Sequence, residues 1–118
     1  MIKKNDLKNK KIAVIGAGIS GMALAELAKK LGADVFVSDA NKLNIDAERL
    51  FVSLNIAWEE NGNTEKLLEA DEIVVSSGIS PQNKMLKEAR KRKVPIVGEL
   101  DFVYPYLSGN IIGVTGSN

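Results

Sequence analysis

Ile12-Ala13-Val14-Ile15-Gly16-Ala17-Gly18-Ile19-Ser20-Gly21 is an apolar run that breaks into three spaced glycines. Beyond them Leu24, Leu27, Ala28 and Leu31 recur at i, i+3, i+4 and i+7, the stripe of a helix lying on a sheet. The stretch reads as strand, tight turn and helix. Gly16 lets the chain turn sharply out of the strand, Gly18 lets phosphates approach the backbone, and Gly21 lets the helix pack close to the strand. Ile19 and Ser20 then offer unpaired amides at a helix N-terminus, where the dipole favours an anion such as a pyrophosphate. A glycine pattern alone is weak evidence. Here it has a strand before it, a helix after it and an acid, Asp39, at the end of the next apolar run Val35-Phe36-Val37. That acid lies near the spacing, about 20 residues, at which a carboxylate meets part of a nucleoside.

The same alternation continues along the chain and predicts a Rossmann-like α/β domain, a five-stranded parallel sheet with helices on both faces. Gly32 is placed to end the first helix. Asn44 can cap a second one with Ala47, Leu50, Phe51 and Leu54 inside, and a short strand around Ile56-Ala57-Trp58 is compatible with the pattern. Thr64 can cap a brief helix carrying Leu67 and Leu68. Ile73-Val74-Val75 is a strand buried on both faces, and Ser80-Pro81 is read as the start of the helix that buries Met85, Leu86 and Ala89. Val94-Pro95-Ile96-Val97 follows as a strand with its proline at the start or at an edge. Ile111-Ile112-Gly113-Val114 is the fifth strand of this reading.

Composition sets the outer limits. The chain has 118 residues and 45% hydrophobic content, enough for one domain with its own core and too little for two. Sixteen basic and fifteen acidic residues leave a net charge of +1, which attracts neither nucleic acid nor an anionic membrane. Without cysteine or histidine there is no disulfide, no thiolate chemistry, no histidine general base and no metal site built on nitrogen or sulfur. Ser76 and Ser77 therefore have no histidine to activate them. The first residues lack the apolar stretch of a signal peptide, and no segment reaches the roughly 20 apolar residues of a membrane span, so a cytoplasmic protein is expected. Lys87, Arg90, Lys91, Arg92 and Lys93 fall at a helix C-terminus and are read as solvated cations that complement the dipole. Glu99 and Asp101 are read as capping or solvated carboxylates, and Trp58 as a core or interface side chain.

The chain's last residues, Val114-Thr115-Gly116-Ser117-Asn118, read as a strand entering a phosphate loop before its lysine. Three stretches in this order resemble the Mur ligase family of peptidoglycan synthesis. They are Ile12 to Gly21, Val75-Ser76-Ser77-Gly78-Ile79-Ser80-Pro81, and Val94 to Asp101 followed by Ile112 to Asn118. Together they span most of the chain. Within the family the glutamate-adding branch is the nearer. The alanine-adding branch usually carries a histidine where this chain has Asn118, and Arg-Ala-Glu where it has Gly98-Glu99-Leu100.

The resemblance implies a uridine-diphosphate-binding domain over residues 1–110, with 111–118 opening an ATP-binding domain. It assigns the diphosphate to the loop of Gly16, Gly18, Ile19, Ser20 and Gly21, and the uracil and ribose to Asp39, Ala40 and Asn41. Ser77 and Gly78 line the far side, and Thr115, Gly116, Ser117 and Asn118 belong to the ATP loop. The implied partners are UDP-N-acetylmuramoyl-L-alanine, D-glutamate and ATP with Mg2+. ATP phosphorylates the substrate carboxylate in such enzymes, and the amino acid's amine attacks the acyl phosphate. No catalytic residue, bound cofactor or ligase activity is expected of the 118 residues alone. Two other readings of the glycine motif stand beside this one: the NAD-binding domain of an oxidoreductase and a non-catalytic nucleotide-sensing domain.

Overall fold

Alternation along the first strand sets the layers. In β1 (Lys11–Ile15), Ile12 and Val14 point to one face of the sheet and Ala13 and Ile15 to the other, and all four are buried. A computed structural model of the chain describes residues 6–106. Their elements are α1 (Ile19–Lys30), β2 (Asp34–Ser38), α2 (Ile45–Leu54), β3 (Ala57–Glu59), a 3-10 helix (Glu65–Glu69), β4 (Glu72–Val75), α3 (Lys84–Lys91), β5 (Ile96–Gly98), α4 (Glu99–Val103) and a final 3-10 turn (Tyr104–Tyr106). The strands form one parallel sheet in the order β3-β2-β1-β4-β5.

Helices cover both faces, as a parallel sheet requires. On one face Leu24, Ala25 and Ala28 of α1, Ala47 and Phe51 of α2 and Phe102 of α4 pack on Ile12, Val14, Val35, Val37 and Val74. On the other, Leu67 of the 3-10 helix and Leu86 and Ala89 of α3 pack on Ala13, Ile15 and Ile73. Caps fall where the sequence signals them. Asn44 accepts from the Ala47 amide, Thr64 from the Lys66 amide, and Gly32 follows α1 with φ +96°. Trp58 is half-buried with its ring centroid 6.0 Å from that of Phe51.

One sequence expectation changes, the start of α3. The strand expected at 111–114 lies outside the described residues, and the fifth strand of the observed sheet is β3, which pairs with β2 through Phe36, Val37 and Ser38. The helix expected to start at Ser80-Pro81 starts at Lys84. Ser80 instead closes a turn, its carbonyl accepting from the Asn83 amide at 3.0 Å and its hydroxyl from the Gln82 amide at 3.0 Å. Asn83 then caps α3, its Oδ1 accepting from the Met85 amide at 2.9 Å and the Leu86 amide at 3.2 Å. One side chain satisfying two orphan amides outcompetes the local serine-proline signal. Pro95 immediately precedes β5, the strand at one edge of the sheet, as its missing donor leads one to expect. Its carbonyl accepts from Ile73 on the edge pairing, where no proline donor is needed.

Register gives the fold its consequence. Ile15 pairs with Ser38 and with Val75, and Val75 pairs with Gly98, so β2, β1, β4 and β5 end level. The residues that follow them, Asp39, Gly16, Ser76-Ser77 and Glu99, stand in a row along one edge. The chain leaves β1 outward to β2 and β3 and returns on the other side to β4. That reversal opens a crevice between β1 and β4, where open α/β sheets bind ligands.

Candidate functional site: a groove at the strand ends

The glycine loop is built by contacts that forbid side chains. Gly16 has φ +99°, and a Cβ there would lie 2.2 Å from the Ser76 hydroxyl oxygen. A Cβ on Gly21 would lie 1.8 Å from the Gly16 carbonyl oxygen, so the first turn of α1 rests directly on the loop. Gly18 and Gly78 differ, because no atom stands within 4 Å of where a Cβ would be. Both face open space in a groove of about 330 Å³ lined by residues 16–21, Asp39, Asn41 and residues 76–79.

At the mouth of this groove α1 begins without a side-chain cap, Gly18 standing at the N-cap position. Its first amides are therefore open to a ligand, and the dipole favours an anion there. The Ile19 side chain is 90% exposed, so what Ile19 offers the groove is its backbone. Ser20 is half-buried, and its hydroxyl lies 3.1 Å from that of Ser77. The structure thus brings together Gly16, Gly18, Ile19, Ser20, Gly21, Asp39, Asn41, Ser77 and Gly78. Ala40 is exposed beside them without lining the groove. Thr115, Gly116, Ser117 and Asn118 lie outside the described residues.

Asp39 is fixed from both sides. Its Oδ2 accepts from the Ala17 amide at 2.7 Å and its Oδ1 from the Asn41 amide at 2.8 Å. Each oxygen keeps a lone pair for a ligand N–H or hydroxyl. The loop bearing Asp39 is strapped to the segment after β3, the Gly62 amide donating to the Asp39 carbonyl and the Asn61 amide to the Asn41 carbonyl.

Behind that strap lies a polar network. Glu59 accepts from the Ser38 hydroxyl at 2.7 Å, the Thr64 amide at 2.8 Å and the Thr64 hydroxyl at 2.6 Å. Asn63 donates to Ser38, and Asn83 donates to Asn63, which ties the network to the cap of α3. Burial pushes the Glu59 carboxyl up, but the bonds from Thr64 and Ser38 and the charge of Lys66 outweigh it and hold the group below its ordinary value.

Sequence reading missed two contributors. Ser76 is buried with its hydroxyl donating to the Ile15 carbonyl at 2.8 Å, which closes the floor under Gly16. Glu99, expected as a capping or solvated carboxylate, accepts from the Ser77 amide at 2.6 Å and from the Ser77 hydroxyl at 2.8 Å. Only the level register of β4 and β5 reveals this contact. Among the described residues no group of three or more His, Cys, Asp or Glu could hold a metal ion, and no helix is long and apolar enough to cross a membrane.

Uncapped helix, glycine loop and strand-end acid at a topological switch define a Rossmann-like domain with a groove at its strand ends, where such sheets bind ligands. The sequence matches the MurD N-terminal domain family over residues 11–85, and the chain belongs to that family. It is 41% identical over 110 residues to the UDP-N-acetylmuramoylalanine–D-glutamate ligase of Bacteroides fragilis, covering 92% of this chain and 25% of that protein. Its structure is similar to a pseudomurein peptide ligase type C from Methanothermus fervidus, with a TM-score of 0.71 and 30% identity over 81% of this chain and 20% of that one. It also shares its fold with the UDP-N-acetylmuramate-alanine ligase of Thermotoga maritima, at a TM-score of 0.68 and 22% identity over 80% of this chain and 22% of that one. The chain thus spans about a quarter of the length of the curated relatives it matches.

Proposed function

We propose that this domain holds the uridine end of UDP-N-acetylmuramoyl-L-alanine, in a cytoplasmic ligase that adds D-glutamate to it with ATP and Mg2+ during peptidoglycan precursor synthesis. The observation that carries the reading is the row of Asp39, the open N-terminus of α1 and Ser77-Gly78 along one sheet edge, in a chain of the MurD N-terminal family. Asp39 and Asn41 take the uracil and ribose, with Ala40 beside them. The amides of Ile19 and Ser20, helped by Gly16, Gly18 and Gly21, take the diphosphate, and the remainder of the substrate leaves past Ser77 and Gly78. Residues 1–110 form this uridine-binding unit, and 111–118 open the ATP-binding part, with Thr115, Gly116, Ser117 and Asn118 in its phosphate loop. ATP and Mg2+ act outside the described residues, which contribute binding and orientation.

The test is a coupled assay on the whole protein containing this domain. Phosphate release from ATP that requires both UDP-N-acetylmuramoyl-L-alanine and D-glutamate supports the reading. Release with UDP-N-acetylmuramate and L-alanine instead would assign the protein to the alanine-adding branch.

A further inference from the structure

We infer that Glu99 makes the groove selective for a diphosphate whose outer phosphate is capped by an ester, against a free nucleoside diphosphate. The inference rests on reading the groove as a diphosphate site. Strand order supplies the direction. With β3-β2-β1-β4-β5 ending level, Asp39 stands on the nucleoside side of the glycine loop, and Ser77 and Glu99 stand on the opposite side. The outer phosphate and whatever it carries are directed toward β4 and β5.

That far side offers acceptors rather than donors. A carboxylate only accepts, so the Ser77 hydroxyl donates to Glu99 Oε1 at 2.8 Å, and in the Ser20–Ser77 pair the Ser20 hydroxyl is the donor. The Ser77 amide is also committed to Glu99, at 2.6 Å. Both serine protons therefore point along the chain Ser20 to Ser77 to Glu99. No Lys or Arg lines either this groove or the adjoining cleft of Ile19, Ser20, Ala23, Leu24, Leu27, Glu99 and Val103 among the described residues. A free terminal phosphate brings an extra negative charge and needs donors, and here it meets a carboxylate and lone pairs. A capped phosphate carries one charge less, and the hydroxyls of a sugar beyond it can donate to Glu99.

The test uses UDP and its β-methyl ester, which are nearly equal in size and differ in charge, titrated into the 118-residue chain and its E99Q variant by nitrogen-15 amide shifts. Glutamine keeps an acceptor for Ser77 and removes only the charge, and a thermal melt confirms that the variant is folded. The wild type is expected to prefer the ester, and E99Q to narrow that gap about fourfold, the size expected of one charge interacting through the wet rim of a groove. A gap left unchanged or widened by E99Q overturns the role of Glu99 while leaving the site intact. Failure of both ligands to shift Gly18, Ile19 and Asp39 in the wild type overturns the diphosphate site itself, and the inference with it.

Discussion

The carboxylate of Asp39 lies 2.7 Å from the amide nitrogen of Ala17, so the end of β2 holds the glycine loop that follows β1. Since its other oxygen holds the Asn41 amide at 2.8 Å, one side chain shapes both walls at this end of the groove. D39N keeps one acceptor oxygen for these two amides and weakens the charge-assisted bond to a ligand. Affinity for UDP-N-acetylmuramoyl-L-alanine is expected to fall about tenfold, the loss of roughly 1.5 kcal/mol that such bonds carry, in an amide-shift titration. An unchanged affinity would remove Asp39 from the binding site.

Gly21 and Gly18 separate folding from binding. G21A drives a Cβ into the Gly16 carbonyl oxygen and should lower unfolding stability by about 3 kcal/mol, read as a shifted urea midpoint. G18A adds its methyl to open space in an extended backbone, φ −75°, so stability should stay within about 0.5 kcal/mol. The same methyl intrudes where a phosphate must approach, and binding should be lost. If G18A binds like the wild type, the ligand does not cross the loop at Gly18.

Glu59 predicts a pH dependence. Its folded-state pKa lies below the ordinary carboxylate value, so the unfolded chain takes up the proton more readily. The stability it contributes is fully present above the unfolded pKa and is lost as pH falls through the folded one. Urea midpoints measured from neutral to acid pH should decline for the wild type, and E59Q should flatten that decline. An equally steep decline in E59Q would place the acid sensitivity elsewhere.

At the start of α3, N83A should cost about 1 kcal/mol, because two helix amides lose their acceptor, whereas S80A should cost only a few tenths. The reverse order of the two urea midpoints would restore the earlier helix start.

What the sequence revealed and what it hid have physical reasons. Strong periodic segments were legible: Ile12–Ile15, the stripe Leu24 to Leu31 and the capped helix after Asn44 lie where expected, since burial and capping are local to each element. The glycine loop and Asp39 were legible because a strand, three spaced glycines and a helix, with an acid closing the next strand, leave a fixed spacing along the chain. Three-residue β3 was barely legible, for Ala57-Trp58-Glu59 is too short to show a period. Glu99 on Ser77, and the chain from Glu59 through Ser38 and Asn63 to Asn83, depend on strands being level and on loops meeting across the sheet edge. No one-dimensional pattern marks such contacts.

The most direct measurement of the central claim is a parallel titration of the nitrogen-15-labelled chain with UDP-N-acetylmuramoyl-L-alanine and with NADH, following amide shifts that still report millimolar binding. The account predicts saturable shifts at Gly18, Ile19, Ser20, Asp39 and Gly78 with the UDP-sugar and none with NADH. Shifts at those amides with NADH alone would contradict it and return the groove to a dinucleotide.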